Sequence, residues 1–497
     1  MMSGEQPMHT LYHTPSFSRL SLFAVLMFGA IAIAAFNGPV RAEGEAALPL
    51  RMTTTLAAVD ADAAAKPRSV SAGRASLTQL VERALAAQPV MLGADALARA
   101  NSERLEQARG ALRPSTGGVL GYNREFADSG GTTPFTVLSG GLRLTIPLYR
   151  PQADASINQA QFQESSSRSA YAEVKQDVLF RTVDAFLGAA QAEETASLLG
   201  QERDVLLAQR NLNQRRMEGG VGTIVDVMET SARAETILSQ IETTRATYRA
   251  QLAELGRLAR TTVEAVPRLS DGLPSMVVPA TAGDAVVLAL GRNSTLARLD
   301  AGLAAARAGI GVQRATLSPT VDLVGGLDRS HLAAGGTTGT IPSTTVGVQL
   351  AIPFSTGGVG EARIREASAL ADSAQAQLDD ATRVLETEMQ KGYVDLQRAM
   401  EQWRIQVSVL ATATASLAAT RKAFDAGART NIDLLNSQQL TFATRRELLT
   451  ARVGVLEAQL RILTLIGDLN TDSLARIETA FESPASPAEN AAFGNAP

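Results

Sequence analysis

The sequence predicts a mainly α-helical chain with transmembrane β-hairpins, built as a helix, hairpin, helix unit that occurs twice. Three observations predict it. Two decapeptides about two hundred residues apart echo each other: GGVGTIVDVM (Gly219 to Met228) sets Gly220, Thr223 and Asp226 where AGARTNIDLL (Ala426 to Leu435) sets Gly427, Thr430 and Asp433. Each corner follows a proline-free stretch rich in Ala, Gln, Glu, Arg and Leu, which is helix-forming composition. Each such stretch in turn follows two short segments in which apolar and polar residues alternate, the period of a strand.

Composition excludes several function classes. Lys plus Arg number 46 against 50 Asp plus Glu, a net charge of -4, so nothing points to a polyanion and nucleic acid is not an expected partner. The absence of Cys removes disulfides, thiolate metal sites, cysteine nucleophiles and an N-terminal lipidated cysteine. His occurs only at His9, His13 and His331, and the chain holds no nucleotide loop, zinc spacing or hydrolase elbow. Glu193-Glu194 and Asp379-Asp380 are neighbours in helical stretches, where adjacent side chains splay apart. No enzyme, cofactor or metal is expected.

Residues 1–42 read as a signal peptide. Arg19 precedes the apolar run Leu20 to Phe36, and Val40-Arg41-Ala42 offers small residues for cleavage after Ala42. Residues 43–76 read as a poorly ordered tail. The first unit, 77–265, opens with a helix from Leu77 to Leu112 whose one interior breaker is Pro89, and Pro114 stops it. Strands follow over 117–127 and 135–148, where Leu138, Leu142, Leu144 and Ile146 point one way and Ser139, Arg143 and Thr145 the other. Asp128 to Pro134 forms their turn and Pro147 ends the hairpin. A helix from about Ala155 to Met217, roughly 90 Å long at 1.5 Å per residue, reaches the first corner, and a second returns from Ile224 to near Leu258.

A linker, 266–283, joins the second unit, 284–469. There a helix over Ala285 to Leu317 is stopped by Pro319. Strands over 320–330 and 344–354 flank a loop that His331 opens, and Ile352-Pro353 matches Ile146-Pro147. A long helix from about Glu361 to Ala426 meets the second corner and returns to Ile466, and residues 470–497 read as a disordered C-terminal tail.

Strands of about ten residues with one apolar face suit a tilted membrane crossing. Four cannot close a barrel, and open edges are not tolerated in lipid, so the chain must share its barrel: two copies give eight strands, three give twelve. The other architecture the alternation allows is a soluble sheet capping a coiled coil, a periplasmic spacer that never inserts.

The duplicated plan, the paired Ile-Pro exits and the corner pattern Gly-x-x-Thr-x-x-Asp followed by an apolar pair resemble the TolC family of outer-membrane efflux proteins, over about Leu77 to Leu469. The resemblance implies a homotrimer with a twelve-stranded β-barrel in outer-membrane lipid and a long periplasmic α-helical barrel. It further implies a passive exit duct for multidrug efflux or type I secretion, opened by a periplasmic adaptor (membrane fusion) protein and an inner-membrane RND or ABC transporter. Pro114, Pro147, Pro319 and Pro353 would mark the transitions from barrel to helix.

The corners have a local explanation of their own. Gly220 and Gly427 suit the left-handed residue ending a helix, Thr223 and Thr430 the next N-cap, and Asp226 and Asp433 the third helical position of a capping box. The resemblance adds an aperture role for Asp433 and Asp226, puts Asn436 where a second acidic residue stands, and matches Arg429 to a basic position that latches the closed tip. It also puts adaptor contact at Gly220, Val221, Gly222, Thr223, Gly427, Ala428 and Thr430.

Overall fold

The computed structural model describes residues 76–125, 135–270, 273, 278–334, 337–479 and 481. The signal segment, nearly all of the first tail and the turn expected at 128–134 lie outside these residues.

Both units open with a pair of helices where the sequence reading expected one. Helix α1 (Leu77–Ala87) starts at Ser76, whose hydroxyl accepts from the Gln79 amide at 3.3 Å, and α2 (Pro89–Gly110) starts at a proline. Gln88 between them is extended (φ -68°, ψ 125°), because the proline ring bars the helical region to the residue before it. In the second unit α5 (Ala282–Arg292) and α6 (Ser294–Ala315) part at Asn293 with nearly the same angles and no proline. Asn293 Oδ1 accepts from the Leu296 amide at 3.0 Å, and its Nδ2 donates to the Leu465 carbonyl at 2.9 Å. A cap and a long-range hydrogen bond do there what a ring does in the first unit.

Four antiparallel strands form one sheet in the order β1 (Ser115–Glu125), β2 (Phe135–Tyr149), β3 (Thr320–Ala334) and β4 (Thr337–Ala351). Directly paired residues share a face. Leu120 and Tyr122, Leu138 to Ile146 at every second residue save Gly140, Val321, Leu323 and Leu327, and Val346, Val348 and Leu350 line one face; Ser139, Arg143, Asp322, Asp328, Thr345 and Gln349 line the other. Most of the β1 and β4 members of the apolar set, with Leu138 and Leu142, are exposed, Leu120 to 90%, whereas the β3 members are half-buried and Ile146 is buried. The set also slants across the sheet. On β1 it lies level with Leu138 and Gly140 of β2, whereas on β4, read through β3, it lies level with Leu144 to Tyr149.

Three expectations need correction. Pro147 does not end its strand: it faces Asp322, the register shifts between it and Tyr149, and β2 continues to Tyr149. A bulge leaves a residue unpaired, and such sites admit proline, which has no amide to donate. His331 opens no loop, because β3 runs on to Ala334 and its imidazole Nδ1 lies 3.0 Å from the Thr340 hydroxyl across β4. Ile352-Pro353 is not the structural match of Ile146-Pro147, since β4 stops at Ala351 and Pro353 lies in the link that follows.

The long helices are α3 (Pro151–Glu218) with its return α4 (Ile224–Ala259), and α7 (Val359–Asp425) with its return α8 (Asn431–Ile466). At 68 residues α3 is roughly 100 Å long. Toward the sheet the neighbours run α2, α3, α6, α7; toward the corners they run α4, α3, α8, α7. The largest core sits midway, where Leu77 and Leu80 of α1 meet Leu179, Val183 and Phe186 of α3, Leu255 and Leu258 of α4, and Leu449, Leu456 and Leu460 of α8.

Residues 470–497 do not begin as a disordered tail: Asn470 caps a helix, α9 (Thr471–Glu478), whose Leu474 and Ile477 enter that core. Phe481 pairs with Leu269 through a backbone bridge and meets the Phe186 ring edge-on, centroids 4.9 Å apart. Two apolar residues at helical spacing were too short a period to read against a polar background. Replacing the buried Phe481 by Ala should cost about 3 kcal/mol through transfer and cavity terms, measurable as an earlier urea midpoint of the detergent-solubilised protein; an unchanged midpoint would undock this segment from the core.

Candidate functional site

Both corners are closed by the same backbone device. Gly220 and Gly427 adopt left-handed φ values of 77° and 76°, where a side chain would be strained. Around them Val221 donates to the Arg216 carbonyl at 2.9 Å and Ala428 to the Ala423 carbonyl at 2.8 Å, satisfying carbonyls the helix leaves open. The next helices start at the predicted caps. The Asp226 amide donates to the Thr223 hydroxyl at 3.2 Å while the Thr223 amide donates to Asp226 Oδ2 at 3.2 Å. Asp433 and Thr430 repeat the exchange at 3.3 and 3.1 Å.

These bonds set the charge at the second corner. The amide and hydroxyl of Thr430, donating to the carboxylate, hold Asp433 below the usual aspartate range, with a smaller contribution from the Arg429 guanidinium 3.9 Å away. Arg429 thus pairs within its own corner. The two corners also differ: a Cβ at Gly222 would lie 2.8 Å from the Met217 amide nitrogen, so that place in the first corner admits no side chain, while its counterpart in the second carries Arg429. The first corner is the more apolar, with Val221, Ile224, Val225 and Met228 all more than half exposed.

Asn436 does not stand free near the tip. Its Oδ1 accepts from Arg233 of α4 at 2.9 Å, and the same guanidinium reaches Gln439 Oε1 at 3.0 Å and Glu229 at 2.9 Å. One arginine of the first hairpin therefore clasps the second. Beneath it lies a buried polar cluster: Asn213 Nδ2 donates to Asn431 Oδ1 at 3.0 Å and to the Thr230 hydroxyl at 3.1 Å, and Gln209 Nε2 donates to Asn431 Oδ1 at 3.2 Å. Further from the corner Arg446 of α8 pairs with Glu202 of α3, whose carboxyl burial pushes up and Arg446 draws back down. Gln438, Phe442 and Arg446 of α8 close a cavity of about 120 Å³ against α3 and α4. Sequence reading missed the clasp and the cluster, although Gln209 and Asn213, four apart on a helix, were a legible polar stripe.

At the other end, Pro114 and Pro319 occupy the links from α2 to β1 and from α6 to β3, and Pro353 the link from β4 to α7. The fourth junction is at Pro151, the first residue of α3, rather than at Pro147. Arg150, just before it, forms a two-pronged ion pair with Asp322 of β3 at 2.8 and 2.9 Å, tying the start of the long helix to the neighbouring strand. Among the described residues no group of acidic or imidazole side chains could hold a metal, and no helix is long and apolar enough to cross a membrane.

Comparison with known proteins agrees with this architecture. The model of the family described as outer membrane efflux protein matches residues 80–259 and 285–468, the two units. The alkaline protease secretion protein AprF of Pseudomonas aeruginosa is 29% identical over 70% of this chain and 73% of its own. The proteases secretion protein PrtF of Dickeya chrysanthemi is 27% identical over 68% and 75%. In fold the chain is similar to the open state of the Neisseria gonorrhoeae MtrE outer membrane channel, with a TM-score of 0.68 at 16% identity over 82% of this chain and 95% of that one. With the family model matching both units of helical hairpin and β-hairpin, the chain belongs to the outer membrane efflux protein family as an exit duct of the outer membrane.

Proposed function

We propose that three copies of the chain close one twelve-stranded barrel and form the exit duct of a type I protein secretion system, docked through the corners to a periplasmic adaptor and an inner-membrane transporter. One observation carries the assembly. The four-stranded sheet ends in β1 and β4, each paired on one side only, and much of its apolar face is exposed; unpaired edges in hydrocarbon cost several kcal/mol per backbone group, so closure needs further copies. Polypeptide cargo is supported by the names of AprF and PrtF, secretion proteins for proteases. In this reading the exposed apolar side chains of the first corner, with Gly220, Gly222, Thr223, Gly427, Ala428 and Thr430, meet the adaptor. Asp433 and Asp226 border the aperture, and three copies of Asp433 form an acidic ring favouring cations. Asn436 adds no charge to it.

Purified protein in a planar bilayer should give discrete conductance steps and a detergent-extracted mass of three chains; a non-conducting monomer would overturn the duct. Expression beside a protease-exporting adaptor and transporter, in cells lacking their own duct, should restore the protease to the medium, and its retention would remove the polypeptide reading while leaving the duct.

Asp433→Ala should lower cation preference. Because hydrogen bonds depress the pKa of Asp433, its capping contribution is complete above the unfolded carboxyl's pKa and is lost as pH falls through the lower folded value. Cation preference should therefore persist to a pH below the ordinary aspartate range, and Thr430→Val should move its loss to higher pH.

Arg233→Ala, which frees Asn436 and Gln439 from the first hairpin, should raise the resting conductance; an unchanged value would make the clasp irrelevant to the aperture.

A further inference from the structure

The ionisable residues of the sheet are sorted by face. Asp322, Asp328 and Arg143 lie on the polar face, as the pairing of Asp322 with Gln349, Asp328 with Gly141 and Arg143 with Gly326 requires. A Cβ at Gly141 would in fact fall on the Asp328 carboxylate. Two arginines lie on the other, apolar face. Arg124 is two residues beyond Tyr122 on β1, and Arg329 is two beyond Leu327 on β3, with His331 two further on. All three are exposed.

Their position along the strands is the telling part. Each lies beyond the large apolar residues that its own strand sets on this face, on the side of the hairpin tips, away from the helices. Arg124 is level with Thr136 of β2 and Arg329 with Gly140. The two are thus offset in the direction in which the apolar band itself slants, and both sit on its outer margin. Two strand spacings across and four residues along put their Cα atoms roughly 16 Å apart, within the combined reach of two arginine side chains and one lipid headgroup. Among the described residues of the strands the inner margin has no matching cation on this face: Arg150 and Arg113, which border it, are paired with Asp322 and Glu106.

We infer that Arg124 and Arg329, flanked by His331, form a site on the lipid-facing side of the outer rim for the phosphates of a phosphorylated glycolipid of the lipid A class in the outer leaflet. The inference rests on the membrane-spanning reading of the sheet. Acyl chains lie along the apolar band while each guanidinium donates to a phosphate oxygen, the pairing for which its planar fork is suited. Both arginines also hold a partner within the chain; five donors on each guanidinium leave others for an outside acceptor. Anionic lipid at this margin shields the two cations where they adjoin hydrocarbon, and it fixes the depth of the sheet in the bilayer.

The test uses the full-length assembled protein and the double variant Arg124→Gln/Arg329→Gln, with Arg143→Gln on the opposite face as the control. Each is titrated in detergent with bisphosphorylated lipid A, with its dephosphorylated form and with phosphatidylglycerol, and bound lipid is counted by native mass spectrometry. At about fivefold per cation near an anionic surface, the double variant should bind bisphosphorylated lipid A roughly thirtyfold more weakly. The control should bind as the unsubstituted protein does, and the unsubstituted protein should disfavour the dephosphorylated lipid by a similar factor. Equal binding by the double variant, or indifference to the phosphates, overturns the site. Preference for phosphatidylglycerol over lipid A overturns the glycolipid. Conductance is recorded on the same preparations: a conducting protein without the lipid preference sinks this inference alone, whereas a protein that never inserts sinks the duct reading beneath it.

Discussion

A backbone amide or carbonyl in hydrocarbon has no water to fall back on, and that constraint organises this chain more than any side-chain contact. Inside the sheet every strand is paired, and only the outer edges of β1 and β4 are left over. The chain therefore cannot be finished by itself in lipid. Its helices meet the same demand by local means. Gln88 and Asn293 turn the chain between helices, and Thr223 and Thr430 cap the return helices, satisfying amides that those helix starts leave open.

Duplication was legible because punctuation is chemical. Proline before β1 and β3, glycine at both corners and a threonine with an aspartate three residues on can be recognised one residue at a time, since each acts on its own backbone. The strand faces were legible for a similar reason: a period of two in Leu138, Leu142, Leu144 and Ile146 survives any tertiary context that buries or bares one face. What failed was whatever depended on a partner elsewhere in the chain. The break at Asn293 needs the Leu465 carbonyl, the extension of β3 past His331 needs β4 beside it, and the docking of α9 needs the hydrophobic residues of α1, α3 and α8. For Asn293 and α9 no window of the sequence contains both halves of the contact, whereas the β3–β4 pairing from His331 on joins residues three to nine apart and was missed because Gly335, Gly336 and Gly339 read as loop.

The corners show how far one motif can serve two ends. Thr430 and Asp433 are explained completely as a capping box, yet the same hydrogen bonds keep the carboxylate charged and pointed, which is what an ion-selective ring would ask of it. The residues that join one hairpin to the other, Arg233 with Asn436 and Asn213 with Asn431, belong to no motif. They are polar where a coiled coil would ordinarily be apolar, and they sit just above the corners. Polar contacts between packed helices specify one arrangement, and because water can replace them, they give it up more readily than buried leucines do.

The slant of the apolar band also has a geometric meaning. A membrane slab is level, so a band that climbs across the sheet records strands that lean, and lean widens a barrel without adding strands. In the proposed trimer, twelve strands 4.8 Å apart and tilted by about 45° would enclose a backbone cylinder roughly 13 Å in radius, about 1.4 times the radius of the same strands upright. In that assembly the bore follows from the register. The irregularity between Pro147 and Tyr149 is a single unpaired step in that register, at the foot of β2.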